Sequence, residues 1–170
     1  LVGHFADAQG QSSLADFLTD QDPDHMWNSV VLQEQSQLPG FPQTMTEWQD
    51  SRDAAVGLAQ MIDTRGADVL LLMTYGRRNG DSGPNASRFP NFGTMNDLLA
   101  LGYEAYAAAI LATGIDVTII PAGIAWAKVY DDEVAAGNDP LGNNSLFARL
   151  YTADGSHPSA LGTYLMACLA

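Results

Sequence analysis

Three short runs of branched apolar residues stand out along the chain, at residues 29–32, 68–74 and 116–120. Each run is rich in branched apolar residues, which predicts a buried strand. Over residues 46–64 and 94–113 the apolar positions instead recur at helical spacing, which predicts two helices. Strands that alternate with helices favour βαβ units, so we predict an α/β fold with a parallel sheet.

Glycines mark where the two predicted helices end, because Gly66 and Gly114 follow them directly. After the third predicted strand, the pattern indicates a short helix over residues 123–129 and a final helix over residues 158–169. Pro158 suits the first position of that last helix. The buried stripe of the last helix is predicted to consist of Leu161, Leu165 and Leu169.

The chain contains no internal repeat and no linker that would divide it, so residues 1–170 are predicted to form a single domain. Doubly wound sheets commonly have about five strands, and three strands would leave the first one with an unpaired edge. We therefore expect part of the sheet to be missing from these three strands. Ligands bind at the carboxyl ends of the strands in such folds, so functional side chains are expected directly after each strand.

The charge of the chain excludes two classes of partner. Seven Lys and Arg residues against twenty Asp and Glu residues give a net charge of -13, which repels nucleic acids and anionic membrane surfaces. The sequence has no apolar run long enough to span a bilayer, and its first residues do not form a signal-peptide pattern. The sequence therefore does not identify the cellular compartment. Cys168, the only cysteine, lies in an apolar stretch, which predicts a buried thiol and no internal disulfide.

An acidic residue and a histidine three positions apart, Asp154 and His157, precede the last predicted helix. A carboxylate on such a turn can bond the imidazole Nδ1, fix its tautomer and leave Nε2 free to take a proton. These two residues would form half of a Ser-His-Asp triad. The sequence has no zinc-ligand spacing and no GxGxxG or Walker pattern, so neither a metal nor a cofactor is predicted.

Three blocks of sequence together resemble a known family. They are L-Q-E-Q-S at residues 32–36, T-Y-G-R-R-N-G-D at residues 74–81 and D-G-S-H-P-S-A-L-G-T-Y-L at residues 154–165. Their order and spacing are similar to those of an uncharacterised bacterial branch of the SGNH (GDSL-like) hydrolases. The resemblance implies a three-layer α/β/α flavodoxin-like fold and serine esterase activity without a cofactor. The implied substrate is a small-molecule or carbohydrate ester, such as one with an acetyl or other short acyl group.

The resemblance also implies roles for individual residues. Asp154 and His157 match the family's catalytic acid and base. The family takes an oxyanion-binding amide from the block after its third strand, usually an asparagine, and this chain has glutamines there instead. A glutamine amide can donate the same hydrogen bond, so Gln33 is the first candidate and Gln35 the second, with ordinary polar residues at a strand end as the alternative. Glu34 is expected to be a structural hydrogen-bond partner.

The nucleophile of the family follows its first strand within a G-D-S or G-N-S motif, which this chain does not contain. Leu1 to His4 match the segment that trails the family's second block, so the resemblance implies that the serine lies upstream of Leu1. Ser12, in a G-Q-S sequence, is an alternative nucleophile. No apolar strand precedes Ser12, and L-A-D-F-L follows it closely, which favours a helix-capping role.

Two further residues are candidates for substrate binding. Arg77, like its neighbour Arg78, follows a predicted strand at the active end of the sheet and could bind a carboxylate or sugar hydroxyls, with a salt bridge as the alternative role. Trp126 follows the last predicted strand and could line the cleft or pack in the core. Two other functions remain open, namely an inactive carbohydrate-binding or scaffolding relative without the serine, and a metal-dependent sulfatase-like or phosphoesterase enzyme.

Overall fold

The computed structural model describes residues 1–10, 12–20 and 26–170, which alternate between helices and strands as predicted. The elements in chain order are α1 (Val2–Gln9), α2 (Ser13–Thr19), β1 (Ser29–Leu32), α3 (Thr46–Thr64), β2 (Asp68–Leu72), α4 (Phe92–Leu111), β3 (Val117–Ile120), α5 (Ala122–Ala135), α6 (Leu146–Arg149) and α7 (Ala160–Ala167), with a 3₁₀ turn at Leu38–Gly40. Residues Gly66 and Gly114 have φ of +74° and +86°, which confirms that they end α3 and α4 in the left-handed conformation.

The sheet contains the three predicted strands in the order β1-β2-β3. Strands β1 and β2 run parallel, with Ser29 opposite Asp68 and Leu32 opposite Leu71. The prediction of an α/β fold with a parallel sheet flanked by helices is confirmed. Among the described residues β1 pairs with β2 alone, so its other edge is open, and the side chain of Val31 is half exposed there.

The described chain divides into two compact units. The first unit contains Leu1–Leu72 and Gly102–Ile119, and the second contains Met73–Leu101 and Ile120–Ala170. Each unit has its own aromatic residues in the core, and the single domain predicted for residues 1–170 stays a prediction. No helix in the described ranges is both long enough and apolar enough to cross a membrane.

In the first unit, α3 buries its apolar face, as its helical spacing predicted. The ring of Trp48 packs on that of Tyr106, with 5.2 Å between the centroids, and the indole Nε1 donates to the carbonyl of Pro39 at 3.1 Å. Helix α1 lies against α3 at Gly57, where a Cβ atom would come within 2.3 Å of the ring of Phe5. These contacts pack α3 against α1, Tyr106 and the segment after β1.

The core of the second unit is a cluster of aromatic rings. Tyr75 stacks on Trp126 with 4.1 Å between the centroids and 4° between the planes. Tyr151 meets both Tyr75 and Phe147 edge-on, at 5.6 and 5.3 Å. The Tyr151 hydroxyl donates to the carbonyl of Gly76 at 2.6 Å, so the segment after β2 is tied directly to the residue that opens the Asp154 turn. Such ring pairs add to the stabilisation that burial alone gives.

The last helix begins later than predicted, because residue 158 is not helical. Pro158 instead lies opposite Tyr151 in an antiparallel bridge. Ser159 caps the helix, its Oγ accepting a hydrogen bond from the amide of Gly162 at 3.2 Å, and Ala160 is the first helical residue. The pairing of the chain across the turn has overridden the local preference of proline for the first helical position.

The buried face of α7 also differs from the prediction. It is centred on Gly162, where a Cβ atom would lie 2.3 Å from the carbonyl oxygen of Leu150 and 3.0 Å from the ring of Trp126. Because this close approach sets the rotation of the helix, the predicted stripe is only half buried, and it consists of Leu161, Leu165 and Leu169. The prediction of a buried thiol is wrong, since Cys168 is exposed.

Candidate active site

The candidate acid and base lie in a tight turn that joins Tyr151 to Pro158. The amide of Thr152 donates to the carbonyl of His157 at 2.9 Å, and the amide of Gly155 donates to the carbonyl of Thr152 at 3.0 Å. Gly155 has a φ of +69°, a conformation that residues with a side chain rarely adopt. The turn is therefore closed by its own backbone, and glycine is strongly favoured at its tip.

The carboxylate of Asp154 organises this turn. Its Oδ2 lies 2.6 Å from Nδ1 of His157, while its Oδ1 accepts hydrogen bonds from the amides of Ser156 and His157 at 2.8 and 3.0 Å and from Oγ1 of Thr152 at 2.8 Å. The contact with the His157 ring, followed by these other bonds, holds the pKa of Asp154 well below its usual range. Asp154 is therefore ionised at neutral and mildly acidic pH.

The imidazole of His157 faces solvent, with 78% of the side chain exposed. Because Nδ1 points at a carboxylate, the neutral ring carries its hydrogen on Nδ1, and Nε2 holds the lone pair. Within the described residues Nε2 makes no hydrogen bond. The geometry fits a general base that Asp154 orients through Nδ1 and whose Nε2 is accessible to solvent.

Arg77 is held by an ion pair. Its Nη1 lies 2.5 Å from Oδ1 of Asp81, whose side chain is only 5% exposed, and its Nε is buried without a partner among the described residues. Trp126 has no exposed surface and is covered by Tyr75. These surroundings favour the alternatives that the sequence left open, a salt bridge for Arg77 and core packing for Trp126.

Arg78 lies against the turn more directly than Arg77 does. Its amide donates to the carbonyl of Gly155 at 2.8 Å. A methyl group on Gly155 would lie 3.5 Å from Cβ and Nε of Arg78 and 3.6 Å from its Nη2, so the side chain runs over the tip of the turn. In the sequence, Arg78 is simply one of two adjacent arginines. Its contact with the distant segment around Gly155 gives it surroundings that differ from those of Arg77.

Tyr75 extends the site into the aromatic core. The residue is 8% exposed, and burial, with the nearby charge of Asp154, raises the pKa of its phenol far above the ordinary value. Tyr75 is therefore neutral at every pH at which the protein is expected to work. The sequence marked this residue only as part of the block that follows β2.

The two candidate oxyanion donors belong to the first unit, where they follow β1. Gln33 and Gln35 are exposed, and Glu34 between them is buried. The Oε1 of Gln35 accepts from the amides of Gln37 and Leu38 at 2.8 and 3.2 Å. Because both partners are donors, the side-chain atom that they contact is the oxygen of Gln35. The Nε2 donor therefore points away from these two amides.

Glu34 is a buried carboxylate that supports this segment. Its Oε1 accepts from the amide of Gln35 at 2.6 Å, and its Oε2 contacts Oγ of Ser51. The contacts fit the structural role expected from the sequence.

Ser12 caps a helix, as expected. Its Oγ accepts from the amide of Ala15 at 3.1 Å and donates to the carbonyl of Asp7 at 2.6 Å. Its neighbour Gln11 lies outside the described residues. Across those residues, no group of three or more His, Cys, Asp or Glu side chains is arranged to hold a metal ion.

No protein-family model matches the chain, and no curated protein is significantly similar to it. Among solved structures, the chain is similar to a protein described as a putative SGNH hydrolase from Slackia heliotrinireducens, with a TM-score of 0.66 and 18% sequence identity. The match covers 99% of this chain and 76% of that protein. At this identity the likeness shows a shared fold, so the flavodoxin-like α/β fold predicted from the sequence is confirmed.

Proposed function

We propose that this chain carries the acid and base of a serine hydrolase that cleaves carboxylic esters. The observation that carries the proposal is the 2.6 Å contact between Asp154 Oδ2 and His157 Nδ1, beside an imidazole that is otherwise open to solvent. The contact fixes the tautomer of the imidazole and leaves Nε2 available to take a proton. The fold shared with the protein from Slackia heliotrinireducens, which is described as a putative SGNH hydrolase, supports the same reaction class.

In the proposed mechanism, Nε2 of His157 takes the proton from a serine Oγ as that oxygen attacks the ester carbonyl carbon. The negative charge moves to the carbonyl oxygen, and Asp154 stays ionised and balances the imidazolium. Collapse of the tetrahedral intermediate breaks the bond to the alcohol, which receives the proton from His157. Water then attacks the acyl-enzyme by the same steps, and no cofactor is needed. We propose a short acyl ester, such as an acetyl group on a carbohydrate, as the substrate.

One of the two glutamines after β1 is proposed to bind the oxyanion. Gln35 is the better supported, because backbone amides fix its Oε1 and thereby orient its Nε2 as a donor. Gln33 has no such restraint among the described residues. A donor that is already oriented stabilises a developing charge without a cost of reorganisation.

The nucleophilic serine is proposed to come from a segment that precedes Leu1 and adds strands to β1. Two observations support such an addition. The edge of β1 is open among the described residues, and a cavity of about 310 Å³ lies beside it, lined mainly by apolar side chains that include Leu14, Val30 and Leu58. An open apolar edge of this kind is normally covered in a folded protein.

Hydrolysis of p-nitrophenyl acetate by the full-length protein tests the proposed function. His157→Ala is expected to lower kcat by at least about 10⁴-fold, since the serine loses its base. Ser12→Ala serves as the control and is expected to leave kcat unchanged. Equal activity of the wild type and His157→Ala would contradict the proposal, and complete inactivity of the wild type would favour the inactive binding relative.

A further inference from the structure

Among the residues that the structure describes, the side chain of Arg78 is a positive charge without an ion-pair partner in a strongly acidic protein. The chain has a net charge of -13, and several of its other cations lie against carboxylates, as the pairs Arg52 with Asp53, Arg77 with Asp81 and Lys128 with Asp132 show. Within the described residues the guanidinium of Arg78 makes no ion pair and no hydrogen bond. Its side chain is nevertheless only partly exposed, so its conformation is restrained.

The surroundings of Arg78 place this charge beside the candidate acid and base. The amide of Arg78 is bonded to the Gly155 carbonyl at 2.8 Å, and Gly155 is the residue between Asp154 and Ser156. The side chain of Arg78 runs across Gly155, with Nε and Nη2 at 3.5 and 3.6 Å from the position that a Cβ atom on Gly155 would take. The carboxylate of Asp154 is hydrogen-bonded to His157, Thr152 and two backbone amides, and among the described residues it makes no ion pair with Arg78.

We propose that Arg78 binds a carboxylate carried by the ester substrate, next to the ester bond that His157 acts on. This inference rests on the proposed hydrolase function and names its substrate class, an anionic ester. The planar guanidinium can meet a carboxylate with two parallel hydrogen bonds, which gives orientation as well as affinity. Arg77 cannot take this part while Asp81 occupies its Nη1.

The carboxylate could belong to the acyl group or to the alcohol, and two esters distinguish these sources. In p-nitrophenyl hemisuccinate the charge lies on the acyl group, and in 4-acetoxybenzoate it lies on the leaving group. Neutral p-nitrophenyl acetate is the reference substrate. For the full-length protein, Arg78→Gln is expected to lower kcat/KM about tenfold on one of the charged esters and to change it less than about twofold on the neutral ester.

Arg149→Gln is the matched control, because Arg149 is an exposed arginine in the same unit and lies in another cavity of about 650 Å³. This variant is expected to leave the preference between charged and neutral esters unchanged. The effect of Arg78→Gln should shrink as salt is added, since the attraction is electrostatic. An equal loss on charged and neutral esters, or no loss on either charged ester, would overturn the role of Arg78.

A binding measurement separates this inference from the proposed function. The full-length protein is titrated with succinate or benzoate while NMR follows the ring protons of His157. Saturable shifts in the wild type that weaken about tenfold in Arg78→Gln would support anion binding even if every ester is left intact. Identical titrations of the two proteins would overturn it even if the neutral ester is hydrolysed.

Discussion

At the scale of single residues, the site depends on how the sequence restrains polar atoms. The turn amides and Thr152 fix one oxygen of Asp154 and leave the other for His157. Backbone amides similarly fix Oε1 of Gln35. In both cases hydrogen bonds to one polar atom of a side chain determine where the other atom points. Each restraint can be tested by changing that one atom.

The pKa of Asp154 is the first test. Because the folded protein lowers this pKa, the hydrogen bonds of the carboxylate stabilise the fold fully above the unfolded value of about 3.9 and are lost as the pH falls through the lower folded value. Carbon NMR of the Asp154 carboxyl is expected to give a midpoint well below about 3.9. In His157→Ala the midpoint should rise, because His157 is the largest cause of the shift. A midpoint at or above the ordinary value would contradict the geometry of the turn.

Gln35→Glu tests the oxyanion donor. The glutamate keeps an oxygen for the amides of Gln37 and Leu38 but replaces the Nε2 donor with a charged acceptor. We expect kcat for ester hydrolysis to fall by about 10²–10³-fold with the stability of the protein little changed. Gln33→Glu is the matched control, with a change of less than about tenfold expected. The reverse order of the two variants would assign the oxyanion to Gln33.

At the scale of elements, the strands and the longest helices could be predicted from the sequence. The helical pattern repeats over many residues in the helices, and the strands are short runs rich in branched apolar residues. Helix α3 has the predicted bounds, Thr46–Thr64, and β1 has the bounds Ser29–Leu32. The start of α7 could not be predicted, because the pairing of Tyr151 with Pro158 overrides the local signal. The roles of Arg77 and Arg78 depend likewise on contacts with Asp81 and Gly155 that no local pattern encodes.

The turn from Tyr151 to Pro158 gives a prediction at this scale. In Gly155→Ala a side chain is forced into a positive φ and toward Arg78, so the free energy of unfolding is expected to fall by about 1–2 kcal/mol. Urea denaturation measures this loss, and NMR should show a weaker contact between Asp154 and His157. Gly3→Ala is the control, because Gly3 lies in α1 with open space around it, and alanine there should stabilise by about 0.5–1 kcal/mol. Equal stability of the Gly155→Ala protein and the wild type would contradict a strained turn.

At the scale of the whole molecule, fold and chemistry rest on different kinds of signal. The α/β fold follows from the alternation of strands and helices, and a solved structure at 18% identity shares it. The contact between Asp154 and His157, the proposed acid and base, could be predicted from a three-residue spacing, because a local turn brings the two side chains together. The nucleophile and the oxyanion donor cannot be identified in this way, since a triad joins residues from segments far apart in sequence.

Fluorophosphonate labelling of the full-length protein, followed by peptide mapping, tests the central claim most directly. We predict one modified serine, located before Leu1, whose labelling is lost in His157→Ala and retained in Ser12→Ala. Labelling of Ser12 or another serine within residues 1–170, labelling that persists without His157, or no labelling of the wild type at all would contradict the proposed triad.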